Sequence, residues 1–363
     1  MTIILFLVVL AVLIFVHELG HFLIAKKSGI RVDEFAIGFP PKIFSWVRGE
    51  TKYVLNLIPF GGYVKIFGEN PDDESMTGTD SARSFVNAKK WKQTAVLLSG
   101  ISFNVIFAWL LISISFMFGS LVPVGEQSAQ YSKYIIDQRV IVTQIMPESP
   151  AALAGLVTGD GIIKITADNI SFDQPSVQKI QEVITGAHGS IVLNYKRSGV
   201  EKSEVIIPKE IDGKKVIGIY MENVGLVRLN PFLALWEGGK LTAVTFKQVI
   251  VGLVTFLGQA VRGQGDFTQV SGPVGMVNMV GDAAAFGPAY FLGFVAFISL
   301  NLAVINLMPF PALDGGRVLF VLIEAIIRRP IKPKIANTVN AVGFFILISL
   351  MIIITYRDIM KFF

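Results

Sequence analysis

A chain of 363 residues that is 52% hydrophobic and only 16% charged, with a mean hydropathy of +0.60, is too apolar for an ordinary soluble enzyme and reads as an integral membrane protein. The formal net charge of +5 does not point to nucleic acid, because the lysines and arginines cluster beside apolar stretches rather than along one polar face. With no cysteine, disulfides, thiol nucleophiles and thiolate metal ligands are excluded, so any metal site must use histidine and carboxylate.

The first predicted element is an apolar helix ending near Lys26 and Lys27. It reads as a retained span, since no basic residue precedes the apolar run and no small-residue cleavage site follows it. Residues 1–16 are uncharged, and His17-Glu18-Leu19-Gly20-His21 then uses two of the chain's three histidines. An ionisable side chain at the centre of a membrane helix costs roughly 2.5 to 3.5 kcal/mol, so this placement calls for a function. Positions i and i+4 share a helix face, which lets His17 and His21 offer ring nitrogens to one metal ion. Glu18 then sits beside the metal as a general base.

From Lys52 to Gly68, two short segments rich in Tyr, Val, Leu and Ile flank Pro59 to Gly62, the composition of a β-hairpin with an exposed edge. An extended substrate would add to such an edge as a strand, which makes Gly61, Gly62 and Tyr63 candidate substrate-binding residues.

Three further uncharged runs are long enough to span a membrane: Thr94 to Gly125, Pro288 to Leu313 and Ile335 to Tyr356. Gln248 to Val261 has only 14 uncharged residues, so 230–262 is expected to lie in the interface as an amphipathic helix. Lys26 to Lys92 carries 11 lysines and arginines, and Arg328, Arg329, Lys332 and Lys334 follow the third span. Positive-inside counting puts both loops in the cytosol, and both termini and the long 126–287 region outside.

Within that external region, Val140 to Ile145 reads as a strand, Pro147 to Leu156 as a turn and short helix, and Gly159-Asp160-Gly161 as a tight turn into a second strand. This resembles the PDZ fold, whose bacterial members carry SPAxxAGLxxGDxIxxI at this spacing. Residues from near Ser128 to Pro208 suffice for one such module, and no second copy is evident. His188, inside it, reads as an ordinary surface or packed histidine.

A catalytic zinc takes three protein ligands and keeps an open position, and the first helix supplies two. Asp314 is the candidate third ligand. It closes the uncharged run within Asn306-Leu307-Met308-Pro309-Phe310-Pro311-Ala312-Leu313-Asp314-Gly315-Gly316, near the cytosolic end of its span, as the two histidines are of theirs.

HELGH in the first span, NLMPFPALDGG in the third, the intervening PDZ-like module and Ser271-Gly272-Pro273-Val274-Gly275 together resemble the site-2 protease family of intramembrane zinc metalloproteases. The bacterial branch that acts second in envelope stress signalling is the most similar. The likeness extends to Ile58 to Lys65, to Ser99-Gly100 with Asn104, and to Thr355 to Ile359. It implies that His17, His21 and Asp314 bind Zn2+, that Glu18 is catalytic and that Asn306 contacts substrate. The chain departs from the family in having one PDZ-like module where better-known members have two, and in Pro40-Pro41 after Gly38-Phe39, where glycine is usual.

The expected fold is thus a polytopic α-helical membrane protein of about four transmembrane helices, with an inserted extracytoplasmic PDZ-like α+β domain and a membrane-associated β-hairpin. The expected segments are a first half of the membrane core (1–125), the PDZ-like domain (126–225), an amphipathic interfacial segment (226–286) and a second half of the core (287–363). The expected partners are the lipid bilayer of a bacterial inner membrane and single-span membrane protein substrates, with no nucleic acid, and the PDZ-like domain would bind peptides or gate access. A membrane-anchored PDZ adaptor and a metal transporter are the alternatives. A transporter has no evident need for Glu18 beside the two histidines.

Overall fold

The computed structural model describes the chain except for residues 71, 125–132, 198, 212, 265–271, 330 and 361–363 and the side chains of residues 59 and 60. Ser128, the expected start of the PDZ-like module, and Ser271 of the SGPVG motif lie outside the described residues. The first half of the chain comprises α1 (Thr2–Lys27), β1 (Val32–Arg48), β2 (Thr51–Ile66), α2 (Asp73–Thr77), α3 (Lys90–Phe118), β3 (Ser120–Pro123), β4 (Ile135–Ile145), α4 (Pro150–Leu153), β5 (Gly161–Ala167), β6 (Ile170–Asp173) and α5 (Val177–Gly186). Then come β7 (Ile191–Arg197), β8 (Val200–Ile206), β9 (Lys209–Ile211), β10 (Lys214–Val216), β11 (Ile219–Val227), α6 (Pro231–Val261), α7 (Pro273–Ala285), α8 (Pro288–Leu307), α9 (Asp314–Ile327) and α10 (Pro333–Met360). These form two compact units, one of residues 1–111, 239–281 and 295–363, the other of residues 112–238 and 282–294.

Among the described residues, five helices, α1, α3, α6, α8 and α10, are long and apolar enough to cross a membrane. The 26 residues of α1 make a rod of about 39 Å at about 1.5 Å per residue, ample for a hydrocarbon core of about 30 Å. The uncharged run from Pro288 does not continue as helix to Leu313: α8 stops at Leu307 because Pro309 and Pro311 cannot continue it. The helix α6 runs for 31 residues, more than twice the uncharged stretch within it, since Glu237, Lys240 and Lys247 are also helical. Little of its apolar stretch is covered by protein.

The expected hairpin takes a different form. The segments 51–58 and 61–66 do not pair with each other; both belong to β2 and pair with β1. Phe35, Ala36 and Ile37 have partners on two sides, Tyr53, Val54 and Leu55 on one and Val64, Tyr63 and Gly62 on the other. Residues 62–66 therefore form an outer segment of a folded-over sheet. Ala25, Ile30, Val32, Phe35, Val64, Ile66, Val96 and Leu97 share one buried cluster that fixes the sheet against α1 and α3. The far end of the sheet exposes Ile43, Phe44, Trp46, Val47, Leu57 and Ile58. An apolar patch of that kind marks an interaction surface.

In the other unit, six strands form a sheet in the order β3-β11-β4-β5-β7-β8, with β6 paired to β5. This sheet reaches beyond Pro208, because β11 pairs with β4 from Ile219 to Val227. The amphipathic α5, capped by Ser176, buries Ile180 and Ile184 in a core with Val142, Ile165, Leu193 and Tyr195. Asp160 of the Gly159-Asp160-Gly161 turn is fully buried and accepts two hydrogen bonds of 2.7 Å from Arg197 and one of 2.9 Å from Val157 N–H. A buried carboxylate persists only with such partners, which is why the turn needs this aspartate.

The start of α7 is held by the end of α10. Asp358, only 3% exposed, accepts hydrogen bonds from Gly272 N–H at 2.7 Å and Gly275 N–H at 3.0 Å. Those amides belong to the first turn of a helix and have no partner within it, so the carboxylate satisfies them from a neighbouring helix.

Candidate metal centre

The two motif histidines lie one turn apart on α1 and are 7% and 8% exposed. Their Nε2 atoms are 3.2 Å apart, and Asp314 Oδ2 lies 3.0 Å from that of His17 and 3.3 Å from that of His21. Two ligand atoms of a tetrahedral zinc at about 2.0 to 2.1 Å are separated by about 3.3 Å, so the three atoms already have the spacing of a zinc ligand set. Asp314 Oδ2 is buried and, among the described residues, makes no hydrogen bond despite those two close nitrogens. That is the arrangement of atoms converging on a shared cation, and among the described residues this trio is the one group of His, Asp and Glu so placed.

Local sequence explains how three atoms from distant segments meet. A Cβ on Gly20 would lie 2.6 Å from the Ser99 carbonyl oxygen, and one on Gly100 would lie 2.4 Å from His21 Nε2. The absence of side chains at both positions lets α1 and α3 approach backbone to backbone. After α8, residues 308–313 turn the chain into α9, which begins at Asp314. Cβ atoms on Gly315 and Gly316 would lie 2.3 Å and 2.2 Å from the carbonyl oxygens of Leu307 and Phe310, so this turn closes only with the glycine pair. Ala312 takes a left-handed conformation, φ 74°, and its N–H donates to Asn340 Oδ1 on α10 at 3.2 Å.

Each imidazole is held from behind. His21 Nδ1 lies 2.8 Å from the Val96 carbonyl oxygen, and His17 Nδ1 lies 3.2 Å from the side-chain amide of Asn104. The sheet supplies the other wall: a Cβ on Gly62 would lie 3.5 Å from Glu18 Cγ, and Tyr63, Val64 and Ile66 follow along the same outer segment. A cavity of about 270 Å³ opens at this point, lined by His17, Glu18, His21 and Asp314 together with Tyr63, Val64, Ile66, Glu69, Leu97, Ala312 and Arg317.

Among the residues expected at the site, His17, His21, Asp314, Glu18 and Tyr63 are thus brought together. Gly62 lies behind Glu18, whereas Gly61 and Asn306, the latter half-buried near the end of α8, are not among the residues lining the cavity. Glu69 and Arg317, which form an ion pair, escaped sequence reasoning. Arg317 had a signal, since it follows Asp314 by three residues on one helix and so shares its face; Glu69 had none. His188 lies outside this site and pairs with Asp168 on the surface.

A histidine pair and an adjacent glutamate on the apolar, membrane-length α1, with the carboxylate that begins α9 beside them at one cavity, are the arrangement of a membrane-embedded metallohydrolase. Residues 5–350 match Peptidase family M50, and the chain belongs to that family, the site-2 proteases. It is 37% identical to a Clostridium perfringens protein described as a zinc metalloprotease, over 99% of this chain and 98% of that one. It is 31% identical to zinc metalloprotease RasP of Geobacillus kaustophilus, over 100% of this chain and 98% of the relative, and 30% identical to a Rhizobium meliloti protein described as a zinc metalloprotease, over 98% and 95%. The protein is a zinc-dependent intramembrane metalloprotease of the site-2 type. Neither the adaptor nor the transporter alternative is favoured.

Proposed function

We propose that His17 Nε2, His21 Nε2 and Asp314 hold the zinc ion and that Glu18 carries the proton for peptide hydrolysis. The observation that carries this reading is the spacing of 3.0 to 3.3 Å among the three ligand atoms beside Glu18. Bound there, zinc lowers the pKa of a water to near 7 and polarises a carbonyl. Glu18, which lines the cavity beside the three ligand residues, takes the proton of the attacking water and returns it to the leaving amine. Alanine at His17, His21 or Asp314 should each remove most of the bound zinc, measured by elemental analysis of the purified protein. Full zinc content in Asp314→Ala would remove that residue from the ligand set.

A transmembrane substrate has its backbone groups tied up in helical hydrogen bonds and must be opened before hydrolysis. The segment 62–66 suits that task, since Val32 to Ile37 occupies one edge while Tyr63, Val64 and Ile66 line the cavity at the other. An extended peptide adds there as a further strand, with Gly61, Gly62 and Tyr63 shaping its path and Asn306 binding its backbone. Single-span membrane proteins are the substrates.

In the bacterial inner membrane, α1, α3, α8 and α10 span, α6 lies in the interface, and the exposed apolar end of the β1–β2 sheet meets lipid. The lysine and arginine asymmetry then puts both termini and the β-rich unit outside. That unit is PDZ-like, and its position outside the membrane suits a filter on the size of substrate ectodomains. The segments 1–125, 126–225, 226–286 and 287–363 divide this arrangement. Since the chain has no cysteine, single cysteines report topology directly. A membrane-impermeant thiol reagent applied to intact cells should label Glu201→Cys, exposed on β8, and leave Glu74→Cys, exposed on α2, untouched. The reverse pattern would overturn the orientation.

A further inference from the structure

We propose that Asn104 is the positioning residue that keeps His17 in the tautomer a zinc ligand needs, by accepting a hydrogen bond from His17 Nδ1–H through its side-chain oxygen. The inference rests on His17 binding zinc through Nε2.

An imidazole that gives its Nε2 lone pair to a metal must carry its proton on Nδ1, and the group facing Nδ1 then has to accept. For His21 this is settled by the main chain. The Val96 carbonyl 2.8 Å from Nδ1 can only accept, so the proton stays on Nδ1 and Nε2 is free. For His17 the group facing Nδ1 is a side chain, the Asn104 amide, whose Nδ2 is the end placed at 3.2 Å. An amide has one accepting and one donating end, exchanged by a half-turn about its last torsion. Its oxygen selects the metal-ready tautomer of His17, and its nitrogen selects the other.

Nothing else claims that oxygen. Asn104 is fully buried, and among the described residues its Oδ1 has no hydrogen-bond partner where it lies, so the half-turn that brings it to His17 Nδ1 in place of Nδ2 breaks no other bond of that oxygen. The backbone below the amide is fixed, since Ser299 Oγ on α8 donates to the Asn104 carbonyl oxygen at 2.9 Å and Ser299 is itself fully buried. Asn104 follows Gly100 by one helical turn, so the glycine admits the two imidazoles and the asparagine meets the nearer ring on the same face. The two histidines are therefore unequal: one is oriented by a carbonyl that no substitution removes, the other by a side chain that can be changed.

The three histidines of the chain make the test direct, because ring-¹⁵N labelling gives three imidazoles and exposed His188 serves as the reference. In zinc-loaded protein, His17 should show a metal-shifted Nε2 and a protonated, slowly exchanging Nδ1. By competition with a chromophoric chelator, Asn104→Leu, which keeps the bulk and removes the acceptor, should bind zinc about 10- to 100-fold more weakly. Asn104→Asp, which can only accept, should stay within a few-fold of wild type and keep the Nδ1–H signal. If His17 Nε2 responds to zinc but Asn104→Leu binds as tightly as wild type, the role of Asn104 is overturned and the ligand set stands. If the His17 ring does not respond to zinc, or responds through Nδ1, the ligand assignment itself fails and this inference with it. Should the leucine variant not fold, the wild-type ring signals and the aspartate variant still decide: loss of zinc in Asn104→Asp equal to that in His17→Ala would overturn the proposal.

Discussion

Glu18→Gln should retain a full complement of zinc and lose proteolysis by about 10² to 10⁴-fold, the usual contribution of a positioned general acid–base group. The substitution is close to isosteric, so the packing of the side chain against Gly62 of the β1–β2 sheet survives. What disappears is the ability to take a proton from water at neutral pH. Cleavage of a single-span model substrate, followed alongside zinc content, checks this. Activity near wild type would exclude Glu18 as the base, whereas joint loss of zinc and activity would mean that the side chain holds the metal.

Gly100→Ala should be as damaging to zinc binding as the loss of a supporting hydrogen bond or worse, about 100-fold, although it adds one methyl group at a position that does not line the cavity. The added Cβ would lie 2.4 Å from His21 Nε2, the atom assigned to the metal, and 2.7 Å from His17 Cε1. Both rings are held from behind by Val96 and Asn104, so neither can retreat without giving up its orientation. The helices must part or the ligands must turn away. Gly258→Ala on α6, where a Cβ meets nothing within 4 Å, is the control and should bind zinc as wild type does. Chelator competition on the two variants gives the answer. Equal affinities would show that the α1–α3 contact yields easily and is not what sets the ligand spacing.

Much of this protein is determined by short-range pattern. The uncharged runs predict α1, α3, α8 and α10, because crossing about 30 Å of hydrocarbon demands a long apolar stretch whatever the neighbours are. The i, i+4 histidines needed only the helical repeat to share a face, and Pro309 and Pro311 mark the break before Asp314 because proline cannot continue a helix. Those features are local, so sequence carries them.

Tertiary structure alone decided the rest. The partner of residues 61–66 is β1 rather than the neighbouring 51–58, since strand pairing depends on which edges meet in space and either pairing satisfies the same alternation of residues. By contrast, the bounds of α6, Pro231–Val261, match the amphipathic helix expected over 230–262, since Glu237, Lys240 and Lys247 interrupt its apolar residues without breaking the helix. Glu69, Val64 and Asn104 came to the site through packing of separate segments, with no spacing between them and the HELGH motif that any helical or strand repeat would produce. The chemistry proposed for the centre rests on five consecutive residues and one distant aspartate. Its geometry, three ligand atoms at 3.0 to 3.3 Å, depends on glycines 20, 100, 315 and 316 allowing backbones to approach, and close approach is a property of two segments together that neither possesses alone.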